Sequence, residues 1–344
     1  MSGLSIIAIP LAIAAVVLLF GYVGCSFTPG VAPPANRLYT EPATDITCGS
    51  ATLNGTVFPG GEDATYQFQY GTAMAFGGRT PLMSTDPTTF AVSAPISGLT
   101  PGTVYSFALV GSLPAGDALS FSTLAGLGFW PLNEDAGATV ALDGTGNHFD
   151  GAYRGGVVLA VPDLQAVGGG AGPERAARFD GTGDVFVAPF HAELNPPSFR
   201  IDVLAMASAV PAAGTYSAVI STLDGTNHTG YAIHAGPTGY WELLLGDGST
   251  ASSLQSAFIT SNAAVMANQI VALSASYDAS DFEATLTVTP DALTAIPDVV
   301  HTVTRRAATV AYMPRQVGNV RIGSDYTGGH FFSGALANVY VCPL

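Results

Sequence analysis

The chain has 344 residues, of which 48% are hydrophobic, so it is long enough for two domains with buried cores and is not expected to be disordered. Its ten basic residues are all arginine, and its formal net charge is −15. Because this acidity repels phosphate backbones, nucleic acid is excluded as an expected partner. The 41 glycines and 23 prolines, set between short apolar runs, predict an all-β fold rich in turns.

Residues 1–25 are predicted to be a hydrophobic membrane anchor. Residues 4–24 read LSIIAIPLAIAAVVLLFGYVG, about the 20 apolar residues with which one transmembrane helix crosses a hydrocarbon core. No basic residue precedes this run, and the run is longer than the apolar stretch of a secretory signal, which favours a retained helix. Two alternatives stay open. One is a cleaved signal, and the other is lipidation of Cys25, because residues 22–25 (YVGC) resemble a bacterial lipobox.

Residues 26–40 are predicted to be a linker, since their prolines favour an extended and semi-rigid chain. The three cysteines are an odd number, and an exported protein permits disulfides. We favour a bond between Cys48 and Cys342, which would tie the C-terminus to the first domain and leave Cys25 free. Three unpaired thiols are the open alternative.

Residues 41–124 are predicted to form a first β-sandwich. Apolar and polar residues alternate at Ala51 and Leu53, over 65–70 and over 104–110, as they do in strands with one buried face. The segments SATLNGTVFPGG, YQFQYGT, ISGLTPGTVYSFALV and FSTL resemble fibronectin type III domains of bacterial surface proteins in order and spacing. Four residues match the turn-and-tyrosine signature of that family: Leu99, Pro101, Gly102 and Tyr105. The resemblance implies a spacer or protein-contact module.

Residues 127–344 are predicted to form one larger sandwich, since no further linker divides their many short β-like runs. The segments GFWPLNEDAG, LDGTGNHFDG, AARFDGTGDVFVAP and VRIGSDYTGGHFFSGALANVYV resemble laminin G-like (concanavalin-like) jelly-roll domains. The strand from Phe199 lacks the tryptophan that is usual in that family. The resemblance implies glycan or protein binding on the concave sheet or the rim loops, sometimes with calcium, or a purely structural role.

Calcium is the one candidate cofactor, because the loop LDGTGNHFDG gathers oxygen-bearing side chains. The candidate ligands are Asp143, Asn147 and Asp150, with Asp180 and Asp184 in the similar run FDGTGD. The alternative, which we favour, is that each Asp-Gly pair forms a tight turn, because Asp bonds its own backbone and Gly accepts positive φ.

Two neighbouring aromatic residues, Tyr240 and Trp241, are the candidate ligand-binding pair, because aromatic rings stack on sugars. The alternative is that both belong to the sandwich core, which is the more common place for such a pair.

The sequence contains none of the usual catalytic motifs. It has no HExxH, HxH or GxSxG motif and no phosphate-cradling loop, and no β-like segment carries the closely spaced carboxylates of a glycosidase. We therefore expect that the protein is not an enzyme.

Two functions are compatible with these features, and a third is retained. The first is a membrane-anchored extracellular adhesion protein, whose terminal jelly roll contacts a glycan or a surface protein. The second is a structural subunit that self-assembles in an ordered array, such as a membrane-containing virus particle or a surface filament. The third, a glycan hydrolase, would need a cleft with paired carboxylates.

Overall fold

The computed structural model describes residues 36–72, 76–85, 87, 91–164, 175–249, 257–290 and 303–344. The chain divides into two units, Met1–Pro34 and Ala35–Leu344. The predicted anchor, Cys25 and the linker up to residue 35 lie outside the described residues. Within the described residues, no helix has the length and apolar character needed to span a bilayer.

The first part of Ala35–Leu344 is built from eight strands. They are β1 (Arg37–Thr44), β2 (Ser50–Phe58), β3 (Ala64–Gly71), β4 (Gly78–Arg79), β5 (Met83–Thr85), β6 (Ala91–Ser97), β7 (Val104–Gly111) and β8 (Leu119–Ser122). One sheet has the order β1-β2-β6, and the other has the order β4-β3-β7-β8 with β5 also paired to β3. All pairs are antiparallel. Strand β1 begins inside the range that the sequence assigns to the linker, because residues 37–41 pair with 54–58.

The two sheets of this first sandwich enclose one apolar core. In β2, Ala51, Leu53, Gly55 and Val57 are buried, and the residues that alternate with them are partly exposed. Phe68 of β3 and Phe107 of β7 meet them from the second sheet. The predicted alternation is strict in β2, whereas in β7 the consecutive residues Phe107, Ala108 and Leu109 are all buried.

The second part begins at Gly128 and forms sixteen strands. They are β9 (Gly128–Trp130), β10 (Val140–Ala141), β11 (Gly151–Arg154), β12 (Val158–Val161), β13 (Ala176–Asp180), β14 (Val185–Ala188), β15 (Phe199–Ala207), β16 (Ser217–Ser221), β17 (Tyr231–Ala235), β18 (Tyr240–Leu245), β19 (Ala257–Ala264), β20 (Ile270–Asp278), β21 (Glu283–Pro290), β22 (Val303–Ala307), β23 (Val320–Ile322) and β24 (Ser333–Cys342). A single 3-10 turn, Ala192–Leu194, is the one helical element among the described residues.

These strands make two large antiparallel sheets. The first, which we call the front sheet, has the order β12-β13-β24-β15-β20-β21-β22, with β9 paired to β24. The second, the back sheet, has the order β10-β11-β14-β23-β16-β17-β18-β19. Their facing sides share a core that contains Trp130, Phe186 and Trp241. The protein is thus all-β, with sandwich-like pairs of sheets in both parts.

The outer faces of the two large sheets differ. In the front sheet, β20 and β21 alternate strictly, so Ser274, Ser276 and Thr287 are partly exposed between buried apolar neighbours. In the back sheet, all five residues of β17 are buried. The outer face of β17 is covered because Leu223 and Tyr326 pack against it from neighbouring loops. Of the two large sheets, the front sheet therefore offers the row of accessible hydroxyl groups on the described parts of β20 and β21.

Candidate functional site

The two sandwiches meet at a small buried cluster. A disulfide joins Cys48, which precedes β2, to Cys342 at the end of β24, with 6.2 Å between their Cα atoms. Beside it, the rings of Phe129 and Tyr340 stack with centroids 4.2 Å apart and an interplanar angle of 3°. The Tyr340 hydroxyl donates a 2.8 Å hydrogen bond to the Leu99 carbonyl of the first sandwich. The disulfide and the Tyr340 hydrogen bond fix the first sandwich against the second, and the stacked rings, both from the second sandwich, pack beside the disulfide.

The carboxylate of the candidate calcium ligand Asp143 is hydrogen-bonded to backbone amides. Its carboxylate is buried and accepts hydrogen bonds from the amides of Phe129 (3.0 Å) and Phe149 (3.2 Å), and from the amide and hydroxyl of Thr145. Asp150 accepts the amide of Asp143 at 2.8 Å. The loop thus has the hydrogen-bonding pattern of the turn alternative.

Asn147, the third candidate ligand, stabilises the connector between the sandwiches. Its side-chain amide donates to the carbonyls of Gly126 and Leu127, at 3.3 and 3.0 Å. The Leu127 amide in turn donates to Val341 of β24. The structure therefore brings Asp143, Asn147 and Asp150 together in one loop that supports the junction.

The second Asp-Gly-Thr-Gly loop repeats this turn at the surface. The Asp180 carboxylate accepts the amides of Thr182 (2.7 Å) and Gly183 (3.1 Å), and these bonds, with that of the Thr182 hydroxyl, lower the pKa of Asp180. Asp184 is buried and accepts the amides of Gly156 and Asp180. Within the described residues, no three His, Cys, Asp or Glu side chains are grouped so that they could hold a metal ion.

The aromatic pair Tyr240 and Trp241 is divided between two environments. The Trp241 side chain lies in the core of the second sandwich with 1% exposure, whereas Tyr240 is 37% exposed. Successive residues of a strand point to opposite faces, so the two rings cannot form one stacking surface. Trp241 therefore lies where the core alternative places it, and Tyr240 lies at the surface.

A groove of about 400 Å³ lies where the first sandwich approaches the outer face of the front sheet. The first sandwich contributes the start of β2 and the end of β6. The second contributes parts of β15, β20, β21 and β24. The glycine at position 49 permits this approach, because a Cβ atom there would lie 2.6 Å from the Tyr340 ring. The groove is therefore a product of the junction and belongs to neither sandwich alone.

The groove is lined by a row of small polar side chains set in a surface that is mostly apolar, to which Ile96 and Leu204 contribute. Its serine and threonine hydroxyl groups are those of Ser50, Ser97, Ser274, Ser276, Thr285, Thr287 and Thr289. Its one carboxylate among the described lining residues, Asp202, is held by the neighbouring Arg200, whose Nε lies 2.9 Å from Oδ2 and 3.0 Å from Oδ1. Pockets of this size at domain junctions commonly hold small molecules or short chain segments. The donors and acceptors suit an uncharged polar ligand.

A buried polar cluster on the back sheet was not predicted from the sequence. His234 of β17 is 3% exposed, and neither ring nitrogen has a hydrogen-bond partner among the described residues. Burial lowers the pKa of His234 to about 4, while Asp325 raises it and His330 lowers it. His330 Nδ1 lies 2.5 Å from Asp325 Oδ2, and the Tyr216 ring lies between the two histidines, 5.4 and 5.7 Å from their centroids. The one sequence signal was a histidine inside the apolar run YAIHA.

No protein-family model matches the sequence, and no curated protein matches it. Among solved structures, the sensor domain of the anti-sigma factor RsgI4 in Pseudobacteroides cellulosolvens is similar at 28% identity, over 25% of this chain and 92% of that chain, with a TM-score of 0.23. The botulinum neurotoxin serotype D binding domain is similar at 9% identity, over 64% of this chain and 48% of that chain, with a TM-score of 0.40.

A third similar structure is the SAP-like pentraxin from Limulus polyphemus, at 14% identity over 45% of this chain and 65% of that chain, with a TM-score of 0.29. The neighbours thus include a toxin binding domain and a sensor domain. The all-β architecture itself rests on the strands and sheets described above.

Proposed function

We propose that this protein is a non-catalytic binding protein displayed on a surface, and that it holds an uncharged glycan in the groove between its two sandwiches. The observation that carries the proposal is the groove itself, in which a row of hydroxyl groups lies against a junction closed by the Cys48–Cys342 disulfide. Hydroxyl groups and a fixed Arg200–Asp202 pair match the neutral donors and acceptors of a sugar chain. A preformed site also avoids an ordering cost when the ligand binds.

The proposed fold assignment is a fibronectin type III-like sandwich followed by a laminin G-like jelly roll. Support for the first comes from Tyr105, whose hydroxyl accepts the Thr100 amide at 2.9 Å, as a tyrosine corner requires. Support for the second is coarser and consists of two large antiparallel sheets around one core. In this assignment the first sandwich forms one wall of the site as well as a spacer.

The proposed location is outside the cytoplasm, with residues 4–24 as the membrane anchor and the sandwiches projecting from it. A disulfide supports this location, because disulfides persist in oxidising compartments and are rare in reducing ones. Lipidation of Cys25 is the alternative means of attachment, and intact-mass measurement of the membrane fraction distinguishes a lipid adduct from an unmodified chain.

The proposed role is binding without catalysis. A glycosidase needs two carboxylates that flank the scissile bond, one as acid and one as base or nucleophile. Among the described residues that line the groove, Asp202 is the one carboxylate, and it is paired with Arg200. This arginine-bound carboxylate supports a role in which the groove holds a sugar chain without cleaving it.

The test is a glycan array probed with the full-length chain, followed by affinity measurement for the glycans retained. Replacing Ser274 by Trp fills the groove, and we expect at least about a tenfold loss of affinity. The matched control is Ser106→Trp, because Ser106 is also a partly exposed strand serine but lies on the first sandwich outside the groove. Equal affinity of both variants, or no retained glycan, would refute the proposal.

A further inference from the structure

A β-bulge in β24 places Asn338 in the wall of the groove. Asp202 of β15 pairs with Tyr340 of β24. Leu204, two residues further along β15, pairs with Ala337, so one residue of β15 lies opposite two residues of β24. Such a bulge changes the direction of the side chains that it contains. Asn338 has a φ of 50° there, a left-handed conformation that asparagine accepts more readily than most residues with a side chain.

The side-chain amide of Asn338 is buried in this wall without a protein partner. The residue is 8% exposed and lines the groove. Its backbone amide donates to the Pro131 carbonyl at 3.1 Å, but its side chain makes no hydrogen bond within the part of the chain that the structure describes. The side chain extends toward the first sandwich, since a Cβ atom at Gly98 would lie 3.3 Å from Asn338 Nδ2. Because buried polar groups nearly always have hydrogen-bond partners, this amide indicates a partner that a ligand supplies.

The groove surface beside Asn338 is apolar. Leu204, which pairs with the preceding residue Ala337, lines the groove together with Ala272 and Ile96. Leu204 and Ala337 belong to a small apolar cluster that is separate from the main core of the second sandwich. The groove therefore combines two kinds of surface. One is the row of hydroxyl groups on β20 and β21, and the other is a single amide group set beside apolar side chains.

An acetamido group is a substituent of neutral glycans that complements both the amide and the apolar surface. The Asn338 side chain offers a carbonyl acceptor and an NH2 donor. An acetamido group presents the reverse pair, an N–H donor and a carbonyl acceptor in one planar unit. It also carries a methyl group, whose burial against apolar side chains is favourable. A hydroxyl group at the same ring position has no methyl group and offers a single atom to the amide.

We propose that the groove selects glycans that contain N-acetylated amino sugars, and that Asn338 is the residue that recognises the acetamido group. The inference rests on the proposed function, because it names the class of glycan that the same groove holds. The Asn338 carbonyl accepts the acetamido N–H, and its NH2 group donates to the acetamido carbonyl. The methyl group packs against Leu204, and the sugar hydroxyl groups bond to the serines and threonines of β20 and β21.

Two oligosaccharides that differ in the acetamido group test the proposal. Chitotetraose and cellotetraose have the same linkage and length, but each ring of the first carries an acetamido group where the second carries a hydroxyl group. In titration calorimetry of the full-length chain in detergent micelles, we expect at least about a tenfold higher affinity for chitotetraose, because cellotetraose leaves the buried amide unpaired. Equal affinity for the two probes, or binding of neither, overturns this inference. Retention of any other glycan on the array would still leave the broader binding function in place.

Variants at two asparagines assign the preference to Asn338. Asn338→Gly keeps a residue that accepts positive φ and removes the amide, so the affinity for chitotetraose should fall about tenfold, to that for cellotetraose. Asn338→Asp also accepts positive φ but replaces the NH2 donor by an acceptor, and it should lose the preference as well. Asn268→Gly is the control and should keep the preference, because Asn268 has a φ of 60° but is exposed and lies outside the groove.

The ratio of the two affinities separates recognition from a structural role of Asn338. If the residue only shapes the bulge, its variants weaken both oligosaccharides equally and keep the wild-type ratio. That outcome overturns the proposal, as does an unchanged ratio with unchanged affinities. Urea unfolding of each variant shows that the chain compared is folded.

Discussion

Asp143 and Asp180 show how two identical local sequences differ in their energetic importance. Both begin an Asp-Gly-Thr-Gly run, and both carboxylates accept backbone amides of their own loop. Asp143 is buried and also holds the amides of Phe129 and Phe149, whereas Asp180 lies at the surface. Removing the Asp143 carboxylate leaves buried amide donors without partners, whereas water can replace the Asp180 carboxylate at the surface.

Replacing Asp143 by Ala should therefore lower the free energy of unfolding by about 3 kcal/mol. Asp180→Ala, the matched control, should cost much less. Urea unfolding followed by tryptophan fluorescence measures both. We expect the same midpoints in calcium and in EDTA, because the Asp143 oxygens already hold hydrogen bonds. A wild-type midpoint that rises with calcium, with no such rise in Asp143→Ala, would establish a metal site instead.

His234 should make the protein sensitive to mild acid. Burial lowers its pKa from the ordinary 6.5 to about 4 in the folded state. Between these two values the unfolded chain binds a proton that the folded chain excludes. This histidine therefore lowers stability as the pH falls from 6.5 to 4 and has no such effect above 6.5. This difference between the pKa values of His234 in the unfolded and folded states corresponds to about 3 kcal/mol in the free energy of unfolding.

The variant His234→Phe removes the titrating group and should flatten the stability profile over this pH range by about that amount. His148→Asn is the control, since His148 is exposed and its φ of 60° is one that asparagine accepts. Chemical unfolding at pH 7 and at pH 4.5 gives the comparison. Identical pH dependence in wild type and His234→Phe would contradict the assigned role of His234.

At the residue scale, candidate site residues could be selected from the sequence, but the contacts that they make could not be predicted from it. It identified a loop rich in oxygen ligands, but a carboxylate that binds calcium and one that caps a turn look the same in sequence. It also grouped Tyr240 with Trp241, because adjacency in the chain is visible and the face of a strand is not. Contacts made across long separations, such as that of Tyr340 with Leu99, leave no local pattern.

At the scale of elements, strands with one solvent-exposed face could be predicted from the sequence, whereas strands buried on both faces could not. Phe199, Ile201 and Val203 are buried in β15, as their alternation predicts, and the same holds for alternate residues of β21. Strand β17 is buried on both faces, because loops cover its outer side, so its sequence carries no period of two. A short stretch of sequence around β17 therefore cannot reveal it as a strand, because the loop residues that cover its outer face lie elsewhere in the chain.

The disulfide is the element-scale contact with the largest expected effect on stability. It spans 294 residues, so in the chain-entropy model it restricts the unfolded state by about 6 kcal/mol. Replacing Cys48 and Cys342 by alanine together should lower the unfolding midpoint strongly, and Cys25→Ala should leave it unchanged. Thermal unfolding of the three proteins is the measurement, and an unchanged midpoint in the double variant would show that the bond contributes nothing.

For the whole molecule, the sequence predicted two sandwiches and their order but not the groove. The groove requires residues near Gly49 to meet strands that lie more than 150 positions later. No periodicity or motif predicts such a contact between distant segments. Taken alone, each wall of the groove has the sequence of an ordinary strand edge or of the solvent-exposed face of a sheet. The relevant sequence feature is a single glycine, and glycine is common throughout this chain.

The fit at the junction can be tested at that glycine. A Cβ atom at position 49 would lie 2.6 Å from the buried Tyr340 ring, so Gly49→Ala should force the sandwiches apart. The amide of Leu127 in the connector, which donates to Val341 next to Tyr340, should then exchange hydrogen about tenfold faster. Gly77→Ala is the matched control, because a Cβ atom there would meet open space. If Gly49→Ala exchanges as slowly as the control, the sandwiches do not depend on this close approach for their fixed arrangement, and the disulfide, the connector and the Tyr340–Leu99 hydrogen bond hold the groove.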